Sequence, residues 1–194
     1  MSTNIRFIYD YHLDMTAPPI ATKDTTNPWI FVFGSNLAGV HGAGAAKKAL
    51  EAFGARRGVG YGLERQSFGI PTKDKEIQSM SLVQIHQYIN IARRQITHRL
   101  ENTHERYWFT RIGCGLAGYT DKDIAPMFAG FAAHLSSPPE RLTTRVSFPI
   151  EWRPFLEPER HNDAILEEIL FKEPTHMDDL DILKTTESRI QPEA

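Results

Sequence analysis

Cysteine is all but missing from this chain. Cys114 is the single one among 194 residues, so no disulfide can close within the chain, which favours a reducing compartment. Long apolar runs are missing too: none nears the roughly 20 residues a membrane-crossing helix needs. The N-terminus shows neither the basic start nor the apolar core of a secretory signal. A cytoplasmic protein with no membrane partner is therefore expected. The eight histidines form no H-E-x-x-H and no paired Cys/His spacing, so no metal is expected, nor any cofactor. The G-x-x-x-x-G-K-[ST] pattern is also absent, which argues against a nucleoside triphosphatase phosphate loop. No internal repeat or low-complexity tract is visible.

What remains has the balance of a globular domain, with 41% apolar and 24% charged residues. The net charge of -2 conceals an asymmetry. Residues 1–150 carry 17 Lys/Arg against 12 Asp/Glu, and residues 151–194 carry 5 against 12. A mildly basic body over 1–150 suits an anionic ligand, and 151–194 reads as an acidic helical extension with a loose tail. Paired arginines at 56–57 and 93–94 are short basic patches that can steer a nucleic acid or simply keep a surface solvated.

Strand and helix patterns alternate. "RFIYDYHLDM" and "WIFVF" (29–33) read as strands, the second apolar throughout, as a strand covered on both faces should be. Residues 43–53 read as a helix with a small-residue face, stopped by Gly54. Residues 67–70 make a short strand ended by Pro71. Over 81–100, Leu82, Ile85, Ile89, Ala92, Ile96 and Leu100 recur at three- and four-residue spacing, predicting a long helix. "RYWFTRI" is a strand, Thr120 and Asp123 form a capping box for a helix over 121–135, and "TTRVSFPI" offers a last strand. "NDAILEEILFKE" predicts a terminal helix. This alternation implies a three-layer α/β/α fold with a mixed, largely parallel sheet.

Two strands end in glycine loops that lead to helices: "FVFGSN" before "LAGVHGAGAAKKALEAFG", and "FTRIGCG" before "LAGYTDKD". Ligands of open α/β sheets gather beyond the carboxyl ends of strands. Glycine there admits close approach to main-chain N–H groups, and a helix N-terminus near Gly42 and Ala45 favours an anion. The pair points to a phosphate-bearing ligand, although glycines also serve plain tight turns. "GVGYGL" at 58–63 lacks the strand–helix setting of a dinucleotide fingerprint and reads as a mobile edge over a site.

"GAGAAKKALEAFG", "IPTKD" and "RIGCGLAGYTDKDIAPMF" together resemble the macro domain family, nearest the branch of terminal ADP-ribose protein glycohydrolase and the DNA ADP-ribosyl glycohydrolase antitoxins. The resemblance spans roughly residues 29–130. It implies a pocket for ADP-ribose, in which Gly42, Ala43, Gly44 and Ala45 wrap the diphosphate and distal ribose. Gly113, Cys114, Gly115 and Leu116 would form the opposing lip, Asn36 would contact ribose, and Lys73 matches the lysine that takes part in glycohydrolysis. Asp10 is the candidate for an adenine-contacting acid. Ala117 departs from the protein glycohydrolase, which has an aspartate there, and matches the small residue of the DNA-directed antitoxins. The approach "GSNLAGVH" is also longer than the family's.

Lys73 is either a solvated lysine beside Asp74 or an amine that attacks or stabilises an anomeric carbon. His41 is either a general acid–base beside the loop or a residue that holds the turn. Tyr61 and Tyr119 lie where they can stack on adenine or cover ribose. Cys114 has no histidine placed to activate it and is not read as a nucleophile. Asp121 and Asp123 read as first-turn helix acids. The expected function is ADP-ribose recognition with glycohydrolysis of a modified macromolecule or metabolite, nucleic acid included. A non-catalytic ADP-ribose or nucleotide module is the alternative, and an interaction protein with a vestigial pocket is a third. A compact microbial or phage enzyme suits the length. Oligomeric state is left open.

Overall fold

The computed structural model describes residues 10–12, 27–136 and 140–158. They belong to a compact unit, Phe7–Glu157; a second unit, Met1–Arg6 with Pro158–Ala194, lies outside the described residues except for Pro158. The terminal helix expected over 162–173 falls there. The first unit runs past residue 150 because Trp152 is fully buried and stacks on Phe128, with ring centroids 5.0 Å apart.

The sheet is organised about β2 (Trp29–Asn36), whose side chains alternate between two buried clusters. Trp29, Phe31 and Phe33 pack with Ala46, Ala49 and Phe53. Ile30 and Val32 turn the other way and join Phe68, Ile70, Ile85 and Ile89. Helix α1 (Gly44–Ala52) therefore covers one face, while α2 (Leu82–Asn102) and α4 (Ala129–Ser136) cover the other. This is the three-layer α/β/α arrangement that the alternation predicts.

The remaining strands are β1 (Asp10–His12), β3 (Gly62–Glu64), β4 (Ser67–Lys73), β5 (Arg106–Phe109) and β6 (Val146–Pro149). Their order is β1-β6-β5-β2-β4-β3. Every neighbouring pair is parallel except β3 with β4. The chain leaves β2 for β4 on one side and leaves β5 for β6 on the other, so the edge beyond β2 and β5 is a topological switch point.

Two local readings need correction. Strand β4 does not stop at Pro71 but continues to Lys73. Antiparallel β3 pairs only with 67–69 and the next partner on β4, Ser79, bridges at Lys73, so Pro71 falls between them and its missing N–H costs no bond to β3. The helix expected over 121–135 is broken into α3 (Asp121–Ile124), a 3-10 turn over Ala125–Phe128 containing Pro126, and α4. Proline cannot supply the i to i−4 bond, so the helix tightens and restarts. By contrast α2 starts as expected, with a capping box between Ser81 and Gln84.

The far end of α2 is tied down by ions. Arg99 grips Glu105 through two bonds, Nε to Oε2 at 2.8 Å and Nη2 to Oε1 at 2.5 Å, and Tyr107 donates its hydroxyl to the same carboxylate at 2.7 Å. Arg145 donates to the carbonyls of Leu100 and Thr103, capping the helix end. Burial alone would raise the Glu105 carboxyl, but the bonds from Arg99 and Tyr107 outweigh it and hold it below its ordinary 4.5. Glu105→Gln should lower stability by about 2–3 kcal/mol at pH 7, since it breaks a partly buried pair. A depressed carboxyl stabilises the fold above its unfolded value and stops doing so as pH falls through the lower folded one. Urea denaturation should therefore show the wild-type and Glu105→Gln stabilities converging below about pH 4.

Candidate functional site

Three parallel strands, β2, β4 and β5, end at one edge, and a cavity of about 450 Å³ opens there. That size lies within the range of small-molecule sites. One wall is the loop from Gly34 through Gly44, and the other is the loop after β5, with Gly113, Cys114, Gly115 and Leu116. Expected neighbours converge here from far apart in sequence. Asn36 and Lys73 are register partners on adjacent strands, and both line the cavity.

The first loop is braced from below. Gly60 lies so close under it that an added Cβ would stand 2.1 Å from the Asn36 carbonyl. Ser35 donates its hydroxyl to the Gly60 carbonyl. The 58–60 glycines therefore support the loop from behind instead of closing over a ligand. Asn36 turns its carboxamide oxygen to the Val40 N–H at 3.1 Å, which leaves its NH₂ as the group to meet a ligand.

Helix α1 begins at the cavity. Its N-cap is Ala43, which makes no side-chain cap bond, and its first turn has no acid. The leading N–H groups thus face the cavity edge at Gly44, Ala45 and Ala46 without a partner from their own helix. Gly44 adopts φ +57°, a conformation glycine takes at low cost, and its position for a Cβ lies 3.7 Å from Leu116 Cδ1. The two lips therefore approach each other at Gly44 and the exposed Leu116.

The charges on the wall have one sign. His12, Lys48, Lys73 and Arg111 line the cavity, and no carboxylate does among the described residues. The Lys73 side chain forms no hydrogen bond or ion pair among the described residues, while its carbonyl accepts from the Leu37 N–H at 3.0 Å. Arg111 is anchored, with Nε to Asp121 Oδ1 at 3.0 Å, Nη2 to Oδ2 at 2.5 Å and Nη1 3.9 Å from Glu151. Trp152 Nε1 donates to the same Asp121 at 2.9 Å. Burial would raise the Asp121 carboxyl, yet Arg111 keeps it below its usual range. Asp121 is thus more than a first-turn acid, because it fixes the arginine at the base of the second loop. His12 stacks on Trp108 at 3.9 Å, with Nδ1 2.7 Å from Ser147 Oγ.

Several expected contacts lie elsewhere. His41 is buried and does not line the cavity. Its Nε2 donates to the Val59 carbonyl at 3.0 Å, and its ring packs edge-on to Phe33. That placement serves the turn, where His41 itself takes φ 50°. Tyr119 also stands behind its loop and donates to the Met80 carbonyl. Tyr61 packs on Phe68 and Tyr88 and bonds Gln95 at 3.1 Å. Asp10 begins β1, two residues before the cavity-lining His12; its side chain lies outside the described residues. Arg111, His12 and Lys48 are site residues that the sequence reading did not single out. For Arg111 the signal was its position between a strand and "GCG". Among the described residues no group of three or more His, Cys, Asp or Glu is placed to hold a metal, and no helix is long and apolar enough to cross a membrane.

With this geometry in hand, comparison of the chain with family models, curated proteins and solved structures finds no match.

Cys114 contributes backbone to the lip while its thiol bonds back to the Ile112 carbonyl at 3.5 Å. Burial first, and then the Asp121 charge, push the thiol up to about 12. The thiolate is the reactive form, so iodoacetamide at pH 8 should label Cys114 in folded protein roughly a hundredfold or more slower than a free cysteine. Asp121→Asn should speed that labelling, as followed by intact mass.

Proposed function

We propose that the cavity holds ADP-ribose, free or attached to a modified partner, and that the protein releases it as a glycohydrolase acting through Lys73. The observation that carries this reading is the cavity's one-signed wall: two glycine loops, an uncapped helix start and basic side chains, with no carboxylate among the described residues to repel a diphosphate. The sequence resemblance to the macro domain family narrows a general anion pocket to this ligand.

In this reading the diphosphate lies against the N–H groups at 42–45 and the backbone of the 113–116 lip. Asn36 offers its NH₂ to the distal ribose. Lys73, its register partner, stands beside the anomeric carbon. Its amine, once deprotonated, attacks that carbon or stabilises the charge developing there, and the bond to the leaving partner breaks. Water then completes release. His41 keeps the first loop in place and is not given a proton-transfer role, because it is buried away from the cavity.

The second reading, recognition without turnover, draws on Ala117. That residue lines the cavity where the protein glycohydrolase has an aspartate, so no carboxylate is at hand there to move a proton.

Calorimetric titration with ADP-ribose tests the ligand. Gly42→Val is the control, since Gly42 does not need the left-handed conformation that Gly44 takes and a Cβ there meets only Val40 Cγ1 at 3.7 Å. Saturable binding by wild type, weakened tenfold or more by Gly42→Val, is the expected result. An absence of binding by folded wild type would overturn the assignment. On ADP-ribosylated DNA or protein, Lys73→Ala should cut turnover by roughly 10²-fold or more while affinity falls far less. Binding with no product from wild type would select the second reading.

A further inference from the structure

A second concavity lies on the helical face, between α2 and α4, with a volume of about 740 Å³. One side is a stripe along α2 at three- and four-residue spacing: Asn90, Arg93, Arg94, Thr97, His98 and Glu101. The other side is Gly130, Phe131 and His134. Most of these groups are hydrogen-bond donors, and the ADP-ribose reading uses none of them.

Arg93 is the unusual member. It is partly buried, and its guanidinium makes one hydrogen bond among the described residues, from Nη1 to Asn90 Oδ1 at 3.1 Å. Its Nε is buried with no partner at all. No carboxylate among the described residues pairs with it. A guanidinium removed from water without a counter-ion is costly, and burial accordingly pushes it below its ordinary value. Gly130 makes room for the guanidinium itself, because a Cβ there would stand 3.1 Å from Arg93 Nη2, tighter than a relaxed contact. Neighbouring donors point to the same kind of ligand. The Asn102 amide lies 3.3 Å from His98 Nδ1, which as acceptor leaves the ring proton on Nε2. The one carboxylate on the groove, Glu101, sits eight residues along α2 from Arg93, about 12 Å on the helix rise, and faces His134 at 4.0 Å.

We infer that the α2/α4 groove is a second anion site, built for a phosphoryl group held by Arg93 with Arg94, Thr97 and His98. A phosphoryl group presents several acceptor oxygens, which suits an arginine fork that has donors to spare. This inference does not rest on the ADP-ribose reading, since the groove shares no lining residue with the first cavity. The phosphoryl group can belong to a free anion or to a nucleic-acid backbone.

Inorganic pyrophosphate, titrated into ¹⁵N-labelled full-length protein, tests it. Saturable shifts at the Arg93 Nε–H and the Gly130 and Phe131 amides are expected, with affinity falling at least tenfold in Arg93→Gln. Arg93→Lys keeps the charge but loses the fork, and should bind between the two. Lys73→Ala should leave these shifts unchanged. Thermal melts establish that each variant is folded. A ten-nucleotide deoxythymidylate then separates the sources: tighter, salt-sensitive binding at the same amides identifies a polymer backbone, and no gain over pyrophosphate identifies a free anion. Shifts confined to the first cavity, none at all, or pyrophosphate binding undiminished in both Arg93 variants would overturn the proposal.

Discussion

The candidate site depends on β2 being buried on both faces. Trp29, Phe31 and Phe33 are held by α1, and Ile30 and Val32 by the α2 side, so the strand can neither slip by one residue nor rotate without exposing aromatics. With β2 fixed, its parallel neighbours β4 and β5 end in register beside it. The strand ends then have to be covered by loops that turn sharply away to opposite sides. The cavity is the gap those two loops leave. Its position is a consequence of sheet order, and its chemistry is decided by the few side chains that fall at the strand ends.

Electrostatics at that edge are sorted into two levels. At the cavity surface the charges are basic and the helix start is uncapped. One layer beneath, Asp121 and Glu151 sit beside Arg111, with Trp152 bonded to Asp121. The acids therefore fix the arginine from behind without presenting carboxylates to the ligand. The same Asp121 raises the Cys114 thiol. The lip thus has a chemically quiet thiol at its tip and a held charge at its base. That arrangement suits recognition of an anion by main-chain N–H groups, whose geometry does not depend on a side-chain rotamer.

The sequence made the periodic features readable. The spacing of Leu82, Ile85, Ile89, Ala92, Ile96 and Leu100 specified α2 almost to its ends. The two strand–glycine–helix passages located the cavity walls. Features that depend on neighbours were not readable. Pro71 fits within β4 because it falls between the end of β3 and the Lys73–Ser79 bridge. His12 and Arg111 join the wall through strand register, which one chain segment does not reveal. His41 and Tyr119 lie beside the right loops in sequence, yet adjacency does not determine on which side of a loop a side chain falls. Both turned inward, where a ring could fill space and a polar atom could reach a carbonyl.

The inward turn of His41 narrows the chemistry that remains open. Among the described residues the cavity wall has no carboxylate and not His41, which leaves few groups able to move a proton, and Lys73 is the one at a strand end beside Asn36. The main-chain N–H groups suited to an anion stand on the loops at 42–45 and 113–116, whereas Asn36 and Lys73 stand at the ends of β2 and β4. A ligand that engages both sets must reach from the loops to the strand ends, so the placement of the loop backbone relative to the β4 end decides which part of it meets the lysine.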